Sequence, residues 1–329
     1  MAERVHHREQ GAALLTVLLL VAIVAVIAAT ALEKLRLSTR IAGNAGITEQ
    51  LRSYAQAAEA LALARVGALA GTGATRTTLA GGWSDRPFTL PLPGGGTASV
   101  RVVDGANCFN LNGLVNALAP GVYQSAPAQR LIFARLMRLT GTPPQVADQV
   151  AGSAADWIDT DGEQQGGGAE DATYLSRDPS YRTAGTLMGD PSELRALNGM
   201  TPEVYAAVRP WVCTLPSATP APINVNTLLP EQAPLIAMLL PDTLPVETAR
   251  RALLSRPAQG YANTAAFWTQ SALSSLTSGE AAGQTAVKTA WFALTIDVRL
   301  GTSTLEEHAL IDATRLPARL ATRQWGERS

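Results

Sequence analysis

Residues 12–32 read AALLTVLLLVAIVAVIAATAL, an apolar run that contains no charged side chain. A helix of this length spans about 30 Å, which matches the hydrocarbon core of a bilayer. The run therefore predicts one membrane-spanning helix. Residues 1–11 carry Arg4 and Arg8, and the positive-inside rule predicts that this short leader stays in the cytoplasm while the bulk of the chain lies outside.

The junction between the leader and the apolar run differs from an ordinary secretory signal. Gly11 is followed at once by Ala12 and the apolar helix, an arrangement that resembles type IV prepilin signals. The resemblance implies that a prepilin peptidase cuts between Gly11 and Ala12, that the helix is kept, and that the new N-terminus is methylated. The alternative is a secretory signal cut after residues 29–31, although the run exceeds the roughly 7–15 apolar residues of such signals.

The rest of the chain has the composition of an exported globular protein. Its 329 residues, 47% of them hydrophobic, can bury a sizeable core. The net charge of −1 gives no general attraction to nucleic acid. The two cysteines, Cys108 and Cys213, share no metal-ligand spacing. In an oxidising periplasm a disulfide between them is favoured over two buried free thiols, and it would stabilise the fold by up to about 4.7 kcal/mol.

The two ends of the exported part predict a helix packed on a sheet. A loosely helical apolar spacing continues from the membrane run to about Ala70, and the helix should end at residues 71–73, which read GTG. Strand-like residues flank the Gly-rich turn at residues 93–96, and a second pair flanks the turn at residues 301–303. These two hairpins should share one antiparallel sheet on the long helix.

The middle of the chain predicts a mostly helical region. Helical runs broken by Pro and Gly occupy residues 128–139, 144–159, 191–197, 202–208 and 247–255. The predicted fold class is α+β, with a pilin-like long N-terminal helix packed on an antiparallel sheet and a large inserted all-α domain. The boundaries are 1–11 for the leader, 12–32 for the transmembrane helix, 33–110 and 286–329 for the pilin-like domain, and 111–285 for the insert.

An acidic loop in this middle region is the candidate metal site. Six carboxylates fall within residues 156–171 around a Gly-Gly-Gly run, and a hard dication would cancel their repulsion. The absence of His and Cys nearby favours calcium over zinc. The spacing is close to that of an EF-hand, but Gln164 stands where that loop needs glycine. The alternative is a solvated acidic loop; the candidate ligands are Asp156, Asp159, Asp161, Glu163, Glu170 and Asp171.

These features together are similar to those of the pseudopilin K family of type II secretion. The resemblance rests on the start GAALLT at residues 11–16, on the DWIDTD stretch at residues 156–161, and on the GAED at residues 168–171 followed by Tyr174. It implies two calcium ions in the helical domain. The best ligand candidates that it implies are Asp159, Asp161, Glu170 and Asp171, with Asp156 and Glu163 as weaker ones.

The resemblance also implies a position within an assembly. Thr16 stands where most pilins carry a glutamate that is thought to pair with a neighbouring subunit's N-terminal amine. A subunit without that carboxylate suits the tip, where no subunit lies above it. The resemblance implies a single-pass minor pseudopilin of the bacterial inner membrane, with a periplasmic bulk. It would cap the pseudopilus with minor pseudopilins I and J, contact other pseudopilins, initiate assembly, and perform no chemistry of its own.

Two other functions compete with this interpretation. An exported hydrolase with an ordinary signal peptide would use paired carboxylates, one of them with a raised pKa. Ser–His chemistry is disfavoured because only His308 remains after the leader. We expect His308 at the surface beside Glu307.

A DNA-binding module is suggested by residues 223–227, INVNT, which resemble the start of helix-hairpin-helix domains. Residues 241–244, PDTL, lack the glycines that let backbone amides approach phosphate, so no nucleic-acid partner is expected.

Overall fold

The computed structural model describes residues 3–71, 75–84, 86–240 and 243–326, with side chains from Ala12 onward. Its first element is α1, one continuous helix over Glu3–Ala70. All side chains from residue 12 to residue 50 are exposed, and this is the one helix of the described chain that is long and apolar enough to cross a membrane. The predicted continuation to Ala70 is confirmed, while Thr72 and Gly73 of the predicted helix end lie outside the described residues.

The remaining elements are strands and helices that alternate in groups along the chain. The strands are β1 (Phe88–Leu92), β2 (Gly96–Asp104), β3 (Phe109–Asn110), β4 (Val115–Ala119), β5 (Val122–Ser125), β6 (Val212–Cys213), β7 (Ile223–Asn224), β8 (Thr285–Ala286), β9 (Trp291–Leu300), β10 (Ser303–Asp312) and β11 (Arg319–Trp325). The helices after α1 are α2 (Pro127–Leu139), α3 (Pro144–Ile158), α4 (Asp171–Leu175), α5 (Pro202–Val208), α6 (Pro234–Ala237), α7 (Val246–Leu254) and α8 (Thr264–Trp268). Short 3₁₀ helices cover Leu111–Leu114, Pro191–Ala196, Arg209–Trp211, Pro230–Gln232 and Gly279–Gln284.

Five strands form one antiparallel sheet in the order β1-β2-β9-β10-β11. Both predicted hairpins are confirmed. The turn between β1 and β2 holds Gly94 and Gly95 at φ of +83° and +82°, a conformation that side-chain-bearing residues rarely adopt. The turn between β9 and β10 uses Gly301 at φ +59°.

The C-terminal half of α1 covers this sheet. Its buried residues recur every three or four positions and are mostly alanine, so the helix axis can lie close to the strands. Every second residue of β2 and β9 is buried against the helix, since one face of the antiparallel sheet points to the core. The shared core contains Leu51, Ala55, Ala58, Ala62, Val66, Val100, Phe292, Leu294, Ile296 and Val298. A long N-terminal helix on an antiparallel sheet is therefore the frame of the molecule, as the sequence predicted.

A helical region, defined here as residues 105–290, is inserted between two neighbouring strands of the sheet. It leaves the sheet at the end of β2 and returns at the start of β9. The two crossing points touch, because the Gly105 amide donates a hydrogen bond to the Trp291 carbonyl at 2.8 Å. The exact limits of the insert given by the sequence, 111–285, stay a prediction.

The helical region is mainly helical, as predicted, and it also contains short strands. The predicted runs correspond to α2, α3, the 3₁₀ turn at Pro191–Ala196, α5 and α7. Three two-stranded pairings were not predicted: the β4–β5 hairpin and the parallel pairs β3–β6 and β7–β8. Strands of two residues leave no periodicity to detect, and Ala117 to Ala119 of the hairpin lack strand-forming residue types.

The expectation of a surface position for His308 is wrong. His308 is 7% exposed and Glu307 is fully buried. The reason is β11, which the sequence did not predict and which pairs with β10, so that β10 lies inside the sheet instead of at its edge. His308 Nε2 lies 2.8 Å from Glu306 Oε1.

The stretch that resembled a DNA-binding motif fastens the helical region to the sheet. Asn224 and Asn226 are fully buried. The backbone amide of Asn224 donates to Asn107 Oδ1 at 2.9 Å. The Thr227 hydroxyl donates at 2.6 Å to Oδ2 of Asp104, the last residue of β2. A buried motif that is already hydrogen-bonded within the chain is not free to bind phosphate. Pro241 and Asp242 of the predicted hairpin lie outside the described residues.

Candidate metal centre

The carboxylate of Asp159 is the centre of the candidate site. Asp159 follows the last residue of α3, and its backbone amide caps that helix by donating to the Ala155 carbonyl at 2.9 Å. Asp159 is 2% exposed, yet neither of its carboxylate oxygens has a hydrogen-bond partner among the described residues. A buried carboxylate without a donor is costly, and proteins usually give it a cation or a proton.

Two further carboxylates face Asp159. One oxygen each from Asp159, Asp161 and Glu170 lie within 4.8 Å of one another. Glu170 Oε1 is also buried without a hydrogen-bond partner in the described chain. The sequence reaches this arrangement by ending α3 at Ile158 and starting α4 at Asp171, which brings the two ends of the acidic loop together.

Burial disfavours the ionised forms of Asp159 and Glu170 in this site. Burial raises the pKa of Asp159 to about 7, and the Asp161 carboxylate is the next contribution. Burial also raises the pKa of Glu170 to about 7, with repulsion from the Asp156 carboxylate as the next contribution. A divalent cation would remove the need for these protons, because it neutralises the charges that the burial disfavours.

The loop is closed by glycines that lie directly against α3. A Cβ on Gly168 would lie 2.0 Å from Asp156 Oδ2, and a Cβ on Gly152 of α3 would lie 2.8 Å from the Gly168 amide nitrogen. Gly167 supplies the turn at φ +80°. Gly167 and Gly168 of the Gly-Gly-Gly run are therefore in close contact with α3.

Asp156 organises the loop from below. Its side chain is fully buried in α3 and accepts hydrogen bonds from the Gln165 amide at 3.1 and 3.3 Å. Burial raises the pKa of Asp156 to about 6, and hydrogen bonds from the backbone amides of Gln165 and Ala169 partly oppose this rise. Asp156 thus lies outside the group of three facing carboxylates.

The other candidate ligands point elsewhere. Asp171 forms an ion pair with Arg182 and accepts hydrogen bonds from the Thr183 amide and hydroxyl, both at 3.0 Å. The Thr183 amide is the main cause that holds the pKa of Asp171 below its usual value. Glu163 is exposed, and its amide donates to Asp161 Oδ1 at 2.9 Å. The structure therefore brings together three of the six predicted ligands, while Asp156 and Asp171 accept hydrogen bonds from other groups and Glu163 is exposed.

The residues present fit a hard cation. All three facing groups are oxygen donors, which suits calcium or magnesium and not zinc. The three oxygens fill only part of a calcium shell of six to eight ligands, so backbone carbonyls and water would complete it. The buried oxygens of Asp159 and Glu170 that lack hydrogen-bond partners are groups that such an ion would satisfy.

Sequence reasoning missed the residue that ties this loop to the rest of the region. Thr160, between two candidate ligands, makes three hydrogen bonds with the backbone of Tyr123 in β5. Nothing in the spacing of the loop marks Thr160, because its partner lies 37 residues away in a hairpin that was not predicted.

The two cysteines lie close to one end of the helical region. Cys108 and Cys213 are joined in a disulfide with their Cα atoms 5.8 Å apart. Next to it, β3 and β6 pair in parallel, with Asn110 opposite Cys213. The bond therefore ties the start of the helical region to a segment 105 residues later.

Comparison with known proteins decides the family. Two sequence models described as type II secretion system protein K match residues 107–217 and 223–289. Type II secretion system protein K of Klebsiella pneumoniae is 33% identical over 326 residues, which is 98% of each chain. The chain belongs to the type II secretion system protein K family. The predicted resemblance to this family of pseudopilins is confirmed.

Further relatives match the chain along most of its length. The protein K of Pectobacterium carotovorum subsp. carotovorum is 30% identical over 331 residues, or 97% of each chain. A solved structure, the GspK-GspI-GspJ complex from the enterotoxigenic Escherichia coli type 2 secretion system, matches with a TM-score of 0.73 and 29% identity over 85% of this chain and 97% of that chain. These matches support the minor pseudopilin interpretation and give no support to the hydrolase alternative.

Proposed function

We propose that this protein is held in the bacterial inner membrane by residues 12–32, with its sheet and helical region in the periplasm. The observation that supports the anchor is the half of α1 that projects from the fold with every described side chain exposed. Its mean hydropathy reaches 3.0 with none of the window buried. An apolar surface of this extent needs lipid or other helices around it.

The protein would stand at the tip of a pseudopilus with partners that correspond to the GspI and GspJ of the solved complex. The likeness to a GspK crystallised with those two proteins carries this proposal. Thr16 supports it, because its hydroxyl donates to the Ala13 carbonyl at 2.8 Å and so needs no partner from a subunit above. In this position the protein would help initiate assembly and would perform no chemistry of its own.

The test of the anchor is the mature N-terminus. The full chain is expressed in membranes with and without a prepilin peptidase, and its intact mass and N-terminal sequence are measured. We expect a peptidase-dependent start at Ala12, with one added methyl group. A start after residues 29–31 that does not depend on the peptidase would overturn the anchor and the pseudopilin role together.

The test of the partners is co-purification. The full chain is expressed with minor pseudopilins I and J of the same secretion system, extracted in mild detergent and passed over a sizing column. A ternary complex with one copy of each protein supports the proposal. Elution of this protein apart from I and J at micromolar concentration would contradict it.

We propose further that Asp159, Asp161 and Glu170 hold a calcium ion. The bound ion would neutralise three facing carboxylates and order the acidic loop on the surface of the helical region. The orphaned, buried oxygens of Asp159 support this proposal.

Calorimetric titration with calcium chloride tests the site on the purified full chain in detergent. We expect the Asp159→Asn variant to lose at least about tenfold in affinity, since it removes one anionic ligand. The matched control is Asp148→Asn, because Asp148 lies in α3, the helix that precedes Asp159, and its exposed carboxylate pairs with Arg138 at 2.9 Å. Equal affinities of the two variants would contradict the assignment, and a wild-type chain that binds no calcium would overturn it.

A further inference from the structure

The β4–β5 hairpin projects from the helical region with little to hold its outer part. No side chain from residue 116 to residue 124 is buried, and only Tyr123 is half-buried against the core of the region. Leu118 and Val122 at its end are 64% and 43% exposed. A two-stranded hairpin in water is at best marginally stable by itself, so contacts at its base and sides decide its position.

One such contact runs to the acidic loop. The Thr160 amide donates to the Tyr123 carbonyl at 3.0 Å, and the Thr160 hydroxyl donates to the same oxygen at 3.0 Å. The Tyr123 amide in turn donates to Thr160 Oγ1 at 3.1 Å. We call these three hydrogen bonds the Thr160 clasp. They saturate both backbone groups of Tyr123 on the outer side of β5.

The clasp is placed between two of the facing carboxylates. Thr160 follows Asp159 and precedes Asp161, so its backbone cannot shift without moving both side chains. Without a cation, the three carboxylates repel one another, because their oxygens lie within 4.8 Å of one another. Opening of the loop relieves this repulsion. With a cation, the same atoms are drawn together and the backbone at Thr160 is fixed.

We propose that the β4–β5 hairpin is the element that responds to cation binding, with Thr160 as the positioning residue that connects the two. Cation binding orders the clasp, and the ordered clasp fixes the hairpin with its apolar end presented to solvent. The inference rests on the proposed calcium site and adds to it a defined structural response 37 residues away in the chain. The metal ion would then control the position of the exposed β4–β5 hairpin as well as the order of the acidic loop.

Hydrogen exchange followed by mass spectrometry tests the coupling on the full chain in detergent. Exchange is measured for peptides covering residues 116–124 and residues 159–170, each with calcium chloride and with chelator. In the wild type we expect calcium to slow exchange about tenfold in both peptides. In Thr160→Val, which loses the two hydroxyl bonds and keeps the backbone bond, the slowing in the hairpin should fall below about twofold while the loop still responds.

Two further variants make the result specific. Thr160→Ser keeps the hydroxyl and should behave as the wild type. Thr269→Val is the matched control, since the Thr269 hydroxyl is exposed and donates to the Ala265 carbonyl of the preceding helix α8 at 2.9 Å. It should leave the calcium response of the hairpin unchanged.

Other outcomes would overturn the inference in distinguishable ways. If calcium binds and protects residues 159–170 but leaves residues 116–124 unchanged, the coupling is wrong and the metal site stands. If Thr160→Val responds as fully as the wild type, Thr160 is not the connection. If calorimetry finds no calcium binding to the wild type, the proposed site and the coupling fall together.

Discussion

Arg323 on β11 forms a two-pronged ion pair with Glu59 on α1. The Arg323 Nε lies 2.8 Å from Glu59 Oε2, and its Nη2 lies 2.7 Å from Glu59 Oε1. Glu59 is only 7% exposed within the alanine face of the helix. This planar, charge-assisted contact fixes the register of the long helix against the last strand of the sheet.

Replacing Arg323 should therefore destabilise the frame strongly. Arg323→Ala leaves the buried Glu59 carboxylate without its cationic partner, and we expect the free energy of unfolding to fall by about 3 kcal/mol. The measurement is denaturant unfolding of the full chain in detergent. Arg250→Ala is the control, because Arg250 pairs with Glu247 at 3.9 Å on the exposed surface, and it should cost below about 0.5 kcal/mol. Similar losses in both variants would refute the importance of the buried pair.

A second carboxylate beside this pair makes the stability depend on pH. Glu307 is fully buried, and its Oε1 lies 3.5 Å from Arg323 Nε. Burial raises the pKa of Glu307 from 4.5 to about 8, and the neighbouring Glu59 carboxyl adds to the rise. The folded state thus holds a proton that the unfolded chain releases, so the contribution to stability is fully present below pH 4.5 and is lost as the pH rises through about 8.

The Glu307→Gln variant should remove this part of the pH dependence. The amide has the size of the protonated acid and carries no charge to desolvate. We expect the variant to be more stable than the wild type at pH 9 and to differ little at pH 5, as read from the difference between their unfolding curves, which cancels the other titrating groups. A difference that stays constant across this range would show that Glu307 does not titrate there.

The closed packing of the acidic loop predicts a sharp contrast between two glycines. Gly168→Ala would place a Cβ 2.0 Å from Asp156 Oδ2, whereas Gly166→Ala meets nothing within 4 Å. We expect Gly168→Ala to lower the midpoint of thermal unfolding by several degrees and to weaken calcium binding, and Gly166→Ala to change neither. Tolerance of alanine at residue 168 would mean that the loop does not close against α3 in solution.

The disulfide should carry a measurable share of the stability of the helical region. It closes a loop with a sequence separation of 105 residues. By the chain-entropy model, reduction or the Cys108→Ser and Cys213→Ser double variant should cost up to about 4.7 kcal/mol. Thermal unfolding with and without a reductant measures the loss, and the double variant should no longer respond to the reductant. A wild-type midpoint that is insensitive to reduction would contradict this.

Long and periodic features were predictable from the sequence, and contacts between distant segments were not. The apolar run, α1 and the two hairpins each carry a local signal that does not depend on what they touch. Strand β11 carries Arg319 and Arg323 and has no buried side chain, so its pattern resembles a loop. Without β11, the burial of Glu307 and His308 could not be inferred.

The acidic loop shows the same limit at the scale of single side chains. Composition marked six carboxylates, but only the end of α3 and the start of α4 decide that Asp159 and Glu170 face each other. Asp171, one residue further, turns toward Arg182, because the first turn of a helix directs successive side chains to different sides. The close packing of the glycine run could not be inferred from the sequence, because its partner, Gly152, lies in a helix earlier in the chain.

The hydrogen bond between Gly105 and Trp291 has a consequence for how such a molecule can change over time. Viewed from the sheet, the entire stretch between these two residues is a single loop joining adjacent antiparallel strands. A tight turn in its place would leave the order and direction of all five strands as they are. The stretch can therefore lengthen, shrink or be exchanged between relatives as one module, while the scaffold that seats α1 remains the same.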